Sequence, residues 1–99
     1  MHTDTVELKY LLTDGCKHVA EAGGAYWLFD IIWSYQAMLR KEEFQVWKLT
    51  KQPVGGWLVT CDDGNKNILV TQQVEYADFP LDSIKFFLSE SVCMLPSEN

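Results

Sequence analysis

An α+β domain is the fold class the sequence predicts: N-terminal helices, a three-stranded antiparallel β-meander, and a C-terminal helix packed on one sheet face. Three observations lead there. Helical spacing with marked ends occupies residues 13–40, strand-type runs broken by turn chemistry occupy residues 43–76, and apolar residues three and four apart follow Pro80.

The opening DTVELKYLLT fits two periods. Val6, Leu8, Tyr10 and Leu12 alternate as on a strand, while Leu8, Leu11 and Leu12 suit a helix with Asp4 and Glu7 as a capping pair. The helix is the favoured reading. TDGCKHVAEAGG is a short helix with both ends marked: Thr13 or Asp14 accepts hydrogen bonds from the first free amides, and Gly23 takes the left-handed turn at the end. A further helix is expected over residues 24–40, supported by its length and lack of proline, although its many aromatics give it only moderate propensity.

From Glu43 the pattern changes. EFQVWKLTKQ, GWLVTCDD and NILVTQQVEY are rich in β-branched and aromatic residues, and are separated by Pro53, Gly55 and Gly56 and then by DDGNKN. Such short connections make consecutive strands antiparallel. ADFPLDSIKFFLSES then reads as a helix beginning near Pro80, with Leu81, Ile84, Phe87 and Leu88 inward and Phe86 outward beside Asp82, Lys85 and Ser89. VCMLPSEN adds a short extended segment before Pro96. Helices on one side of such a sheet leave its other face less well covered.

Ninety-nine residues, 47% of them apolar and 22% charged, describe a single domain over residues 1–99. No run of about 18 apolar residues is present for a membrane helix, and MHTDTVELKY lacks the basic start and apolar middle of a signal peptide, so a cytoplasmic location without membrane contact is expected. Cys16, Cys61 and Cys93 are odd in number and form no Cys-x-x-Cys pair; they read as reduced, buried small residues. The net charge of −6 argues against direct nucleic-acid binding, which draws on Lys and Arg. An acidic protein can instead occupy a basic groove, and its charge speeds the encounter.

Residues 24–36, GAYWLFDIIWSYQ, make the strongest claim on function. Leu28, Ile31, Ile32, Tyr35 and Leu39 share one helical side, the inward one; Tyr26, Asp30, Trp33 and Ala37 form a second stripe. Aromatic anchors around a carboxylate suit capture of a partner's Arg or Lys. The competing reading is a central core helix whose Asp30 is satisfied by the Tyr26 hydroxyl, a lysine or a backbone amide. With Phe86 added, the candidate partner-binding residues are Tyr26, Asp30, Trp33 and Phe86. The alternative is a small-ligand domain or weak enzyme with a pocket between the long helix and the sheet, lined by Tyr35, Trp47 and Trp57. A homodimer joined across the open sheet face is a third reading.

Signals for catalysis are poor. His2 lies near the N-terminus, and His18 sits beside Lys17 on a short helix; neither forms a nucleophile and base arrangement, so no catalytic residue, metal site or cofactor is expected. CDDGNKN offers four oxygen-bearing side chains around a glycine but lacks the ligand alternation and closing Glu of a calcium loop; Asp63-Gly64 is a hairpin signal first.

TDG at 13–15, AGGAYWLFDIIWSYQ at 22–36, EEFQVWKL at 42–49, DGN at 63–65, DFPLDSIKFFL at 78–88 and the terminal LPSEN together resemble a family of uncharacterised bacterial proteins of about this length. That resemblance runs over nearly the whole chain from Leu8. It implies a cytoplasmic accessory protein of the kind carried on mobile elements, with no assigned catalytic residues. By analogy it also implies an inhibitor or modulator of a bacterial host protein or nucleoprotein complex, a class that includes anti-CRISPR and anti-restriction proteins. The expected function is therefore non-enzymatic: blocking a basic surface by bulk and charge.

Overall fold

The computed structural model describes residues 11–75, 77 and 79–98. Strand β1 (Leu11–Leu12) leads into helix α1 (Asp14–Ala22) and helix α2 (Tyr26–Ser34); strands β2 (Phe44–Lys51), β3 (Trp57–Asp62), β4 (Ile68–Val74), β5 (Ser83–Ser89) and β6 (Val92–Met94) follow, and a 3-10 turn spans Pro96–Glu98. The strands form one six-stranded sheet in the order β1-β6-β5-β2-β3-β4. Among the described residues only the β1–β6 pairing is parallel.

This corrects the predicted architecture. The β2-β3-β4 meander is present, but as one half of a six-stranded mixed sheet, and residues 83–89 form a strand near its centre in place of a C-terminal helix. SIKFFLS satisfies two periods at once. Ile84, Phe87 and Leu88 lie at helical spacing, while Ile84, Phe86 and Leu88 alternate; pairing with β2 on one side and β6 on the other selects the alternation. Seven residues, three of them Ile or Phe, are also short for a helix and usual for a strand. Phe86, expected to face out, is consequently fully buried.

Helix α1 forms where expected, and the Thr13 hydroxyl accepts from the Cys16 amide at 3.4 Å. Its C-terminal turn differs by one residue: Gly23 keeps φ near −93°, and Gly24, at φ +62°, makes the left-handed turn into α2. The second helix is shorter than residues 24–40 predict. Past Ser34 the chain continues in hydrogen-bonded turns, because the Gln36 side chain takes the Ile32 carbonyl at 2.9 Å while the Gln36 backbone amide bonds Trp33. The helix favoured over DTVELKYLLT lies mostly outside the described residues; of its last three, Leu11 and Leu12 form β1 and Thr13 caps α1.

Both helices cover one face of the sheet. Cys16 and Ala20 from α1 and Leu28, Phe29 and Ile32 from α2 meet Trp47, Leu49, Val59, Cys61, Phe86, Leu88 and Cys93 in a single core. Phe29 stands edge-on to Phe86 with ring centroids 5.0 Å apart, and Tyr35 tilts onto Trp47 at 6.0 Å. Burying one such ring stabilises by roughly 2–3 kcal/mol. The alternate residues of the central strands face the other way, among them Lys48, Thr50, Ser83, Lys85 and the half-buried pair Phe44 and Phe87.

Candidate functional site

The outer face of α2 carries three of the residues singled out in the sequence. Tyr26, at the first position of the helix, is 53% exposed, and Asp30 one turn later is also exposed. Trp33 is half-buried, its ring 6.3 Å from that of Phe29. The side of the helix beneath them, Leu28, Phe29 and Ile32, is buried, so α2 is fixed as a platform and its outer stripe is presented to solvent.

Electrostatics on this face are negative. The Tyr26 hydroxyl donates to Glu21 Oε2 on α1 at 3.3 Å; partial desolvation and then the Glu21 charge raise the phenol above its ordinary pKa. Asp30 is therefore not satisfied by Tyr26, and among the described residues it has no hydrogen-bond or ion-pair partner. A solvated carboxylate beside an exposed phenol can accept a guanidinium or ammonium without losing an internal bond.

Phe86 does not belong to this surface; it lies in the core against Phe29. Tyr35, Trp47 and Trp57, expected to line a pocket, are held in internal contacts among the described residues. Trp47 is fully buried and its indole donates to Gln45 Oε1 at 2.9 Å; the Tyr35 hydroxyl donates to Gln72 Oε1 at 2.7 Å; Trp57 meets Phe79 edge-on and donates to the Ala77 carbonyl at 3.2 Å. The space between helix and sheet is filled, as packed interiors are.

Sequence reading missed a buried amide network and a terminal clasp. Gln36 and Gln45 exchange two hydrogen bonds of 3.0 Å, and Gln45 also accepts from Trp47, so both buried amides are satisfied. The Glu98 carboxylate accepts from the Thr13 hydroxyl at 2.5 Å, from the Gly15 amide at 3.0 Å and from the Leu95 amide at 2.9 Å. Those bonds hold its pKa below the usual carboxylate value. A Cβ at Gly15 would stand 2.8 Å from that carboxyl, which would have to shift to admit it. Neither feature has a local signature, since each joins residues distant in sequence or facing that depends on strand parity.

The three cysteines are buried and free, as expected. Cys16 and Cys93 approach to 3.9 Å between sulfurs; that contact holds Cys16 below the ordinary thiol value, and with burial it pushes Cys93 well above it. Burial, reinforced by Asp62, pushes Cys61 up to about 12. His18 is exposed on α1, and His2 lies outside the described residues. Among the described residues no group of three or more His, Cys, Asp or Glu is placed to hold a metal ion. The DDGNKN acids are occupied in their own turn: Asp62 accepts from Gly64, and Asp63 from Asn65 and from the Asn67 side chain, each at 2.8 Å.

A recess of about 670 Å³ opens beside the chain that follows α2, between Arg40, Glu42 and Phe44 on one side and Ser89 and Glu90 on the other. Its rim includes the β5–β6 turn, where Glu90 and Ser91 hold φ of 52° and 68°.

A family model described as a family of unknown function, DUF6876, matches residues 1–99. The chain belongs to this family. No curated protein and no solved structure matches it. DUF6876 membership agrees with the resemblance to an uncharacterised family of about 100 residues, and carries no activity, ligand or partner with it. No helix among the described residues is long and apolar enough to cross a membrane.

Proposed function

We propose that this protein is a non-enzymatic interaction module whose α2 face binds a basic surface on a larger protein or nucleoprotein complex and blocks it by bulk and charge. One observation carries the reading: an exposed phenol, Tyr26, and an exposed carboxylate, Asp30, which has no partner among the described residues, stand one turn apart on a helix whose underside is locked in the core. Trp33 adds apolar surface at the end of the stripe. Such a rigid aromatic and acidic stripe is suited to a partner's Arg or Lys, and the net charge of −6 favours approach to a positive surface. The finer reading, an inhibitor of a bacterial defence complex of the anti-CRISPR or anti-restriction kind, rests on the family resemblance alone. Phe86 has no part in the contact, being buried.

The test is a tagged pull-down from host lysate with wild type beside Asp30→Lys, bound proteins being identified by mass spectrometry. Reversing one exposed charge leaves the buried side of α2 intact, so the variant is expected to keep its circular dichroism spectrum and lose the retained complex. Equal recovery of that complex by both proteins would reject the α2 face as the binding surface. Tyr26→Ala is expected to weaken retention by roughly tenfold, the usual scale for an aromatic contact.

A further inference from the structure

The face of the sheet opposite the two helices carries an arrangement that its stability does not ask for. Lys48 on β2 and Lys85 on β5 are direct cross-strand partners, and the next pair on the same face is Thr50 with Ser83. All four side chains are exposed. Like charges placed directly opposite each other destabilise a strand pair, yet the chain places two of its eight basic residues so, on the two strands at the middle of the sheet. Among the described residues neither lysine has a carboxylate partner. Lys48, Thr50, Ser83, Ile84 and Lys85 line one shallow recess of about 480 Å³, and Thr60 extends the lysine row onto β3.

We infer that this recess is a binding site for a single phosphate group, with Lys48 and Lys85 neutralising its charge and Thr50 and Ser83 donating hydroxyl hydrogen bonds. The stoichiometry selects the ligand. Two ammonium groups match a dianion, whereas a carboxylate needs only one, and lysine binds phosphate as a point charge without the fork geometry of arginine. A nucleic-acid backbone is disfavoured, because 14 acidic residues on the same small chain repel an extended polyanion. The site therefore suits inorganic phosphate or a small phosphate monoester. It lies on the sheet face opposite α2 and is independent of the proposed protein contact.

The experiment is amide NMR on the full chain, titrated with inorganic phosphate in one arm and glycerol 2-phosphate in the other, with sodium chloride holding ionic strength constant. Saturable shifts confined to residues 48, 50, 60, 83 and 85 are expected in at least one arm. Tighter binding of the ester assigns the site to an organic phosphate; equal or tighter binding of the inorganic ion assigns it to the phosphate group alone. Lys48→Gln and Lys85→Gln are each expected to weaken binding about tenfold, on the scale of one charged hydrogen bond, while Lys48→Arg retains it. Absence of saturable shifts in both arms, equal shifts from chloride, or unchanged affinity in both glutamine variants would overturn the inference. Since both lysines are exposed, the glutamine variants are expected to keep the wild-type spectrum away from the recess.

Discussion

Glu98 shows how much one exposed side chain can organise. Its carboxylate accepts from Thr13, Gly15 and Leu95, joining the first turn of α1 to the segment after β6. A negative charge there also meets the positive end of the helix dipole. Because these bonds depress the pKa in the folded state, their stabilisation is fully present above the ordinary value of 4.5 and is lost as the pH falls through the lowered one. Glu98→Gln should therefore lower the melting temperature at neutral pH and converge with wild type in strong acid, as a pH series of thermal melts will reveal. Asp30 is the contrasting case: it makes no internal bond among the described residues, so its replacement bears on binding and leaves stability nearly unchanged.

The elements that formed as the sequence predicts are those with local signals at both ends. Helix α1 has Thr13 before it and a glycine pair after it, and β2, β3 and β4 are bounded by proline, glycine and aspartate turns. The element that differs, residues 83–89, offers helix and strand periods together, and only its neighbours in the sheet decide between them. That one reversal also moved Phe86 from the surface to the core, which is why three of the four predicted contact residues stay on or near the surface and the fourth does not. The Lys48 and Lys85 pairing was invisible for the same reason: a helix over residues 80–90 has no cross-strand partner. The β5–β6 hairpin turn has its own cost. Glu90 and Ser91 both occupy the left-handed region, where Asn-Gly is the favoured pair and other residues lose about 1 kcal/mol each. Replacing them by Asn-Gly is expected to stabilise by roughly 1–2 kcal/mol and raise the melting temperature several degrees, readable by calorimetry.

At the scale of the whole molecule, the sheet interleaves distant parts of the chain. Strand β5 lies between β2 and β6, and β6 in turn pairs with β1, so that segments from both ends complete one side of the core. A chain ending at Ser91 would lose β6 and the Glu98 clasp, stripping Leu88 and Cys16 of their cover. Such a truncation is expected to abolish the cooperative urea transition and to bind a dye that reports exposed apolar surface; a sharp wild-type transition in the truncated chain would show that the meander and the helices suffice.

The central position of β5 also sets an order of events during synthesis. As the chain leaves the ribosome, α1 and α2 emerge first, and β2, β3 and β4 can pair as soon as they follow. Phe29 and its neighbours on α2 then wait for Phe86, which is translated later yet forms much of the floor they pack on. Until it arrives the nascent chain holds an apolar helix face over a half-built sheet, and β2 keeps one edge unpaired. The middle of the sheet is thus inserted late, ahead only of β6, and whatever slows translation beyond β4 prolongs the time during which that edge is open to the wrong strand.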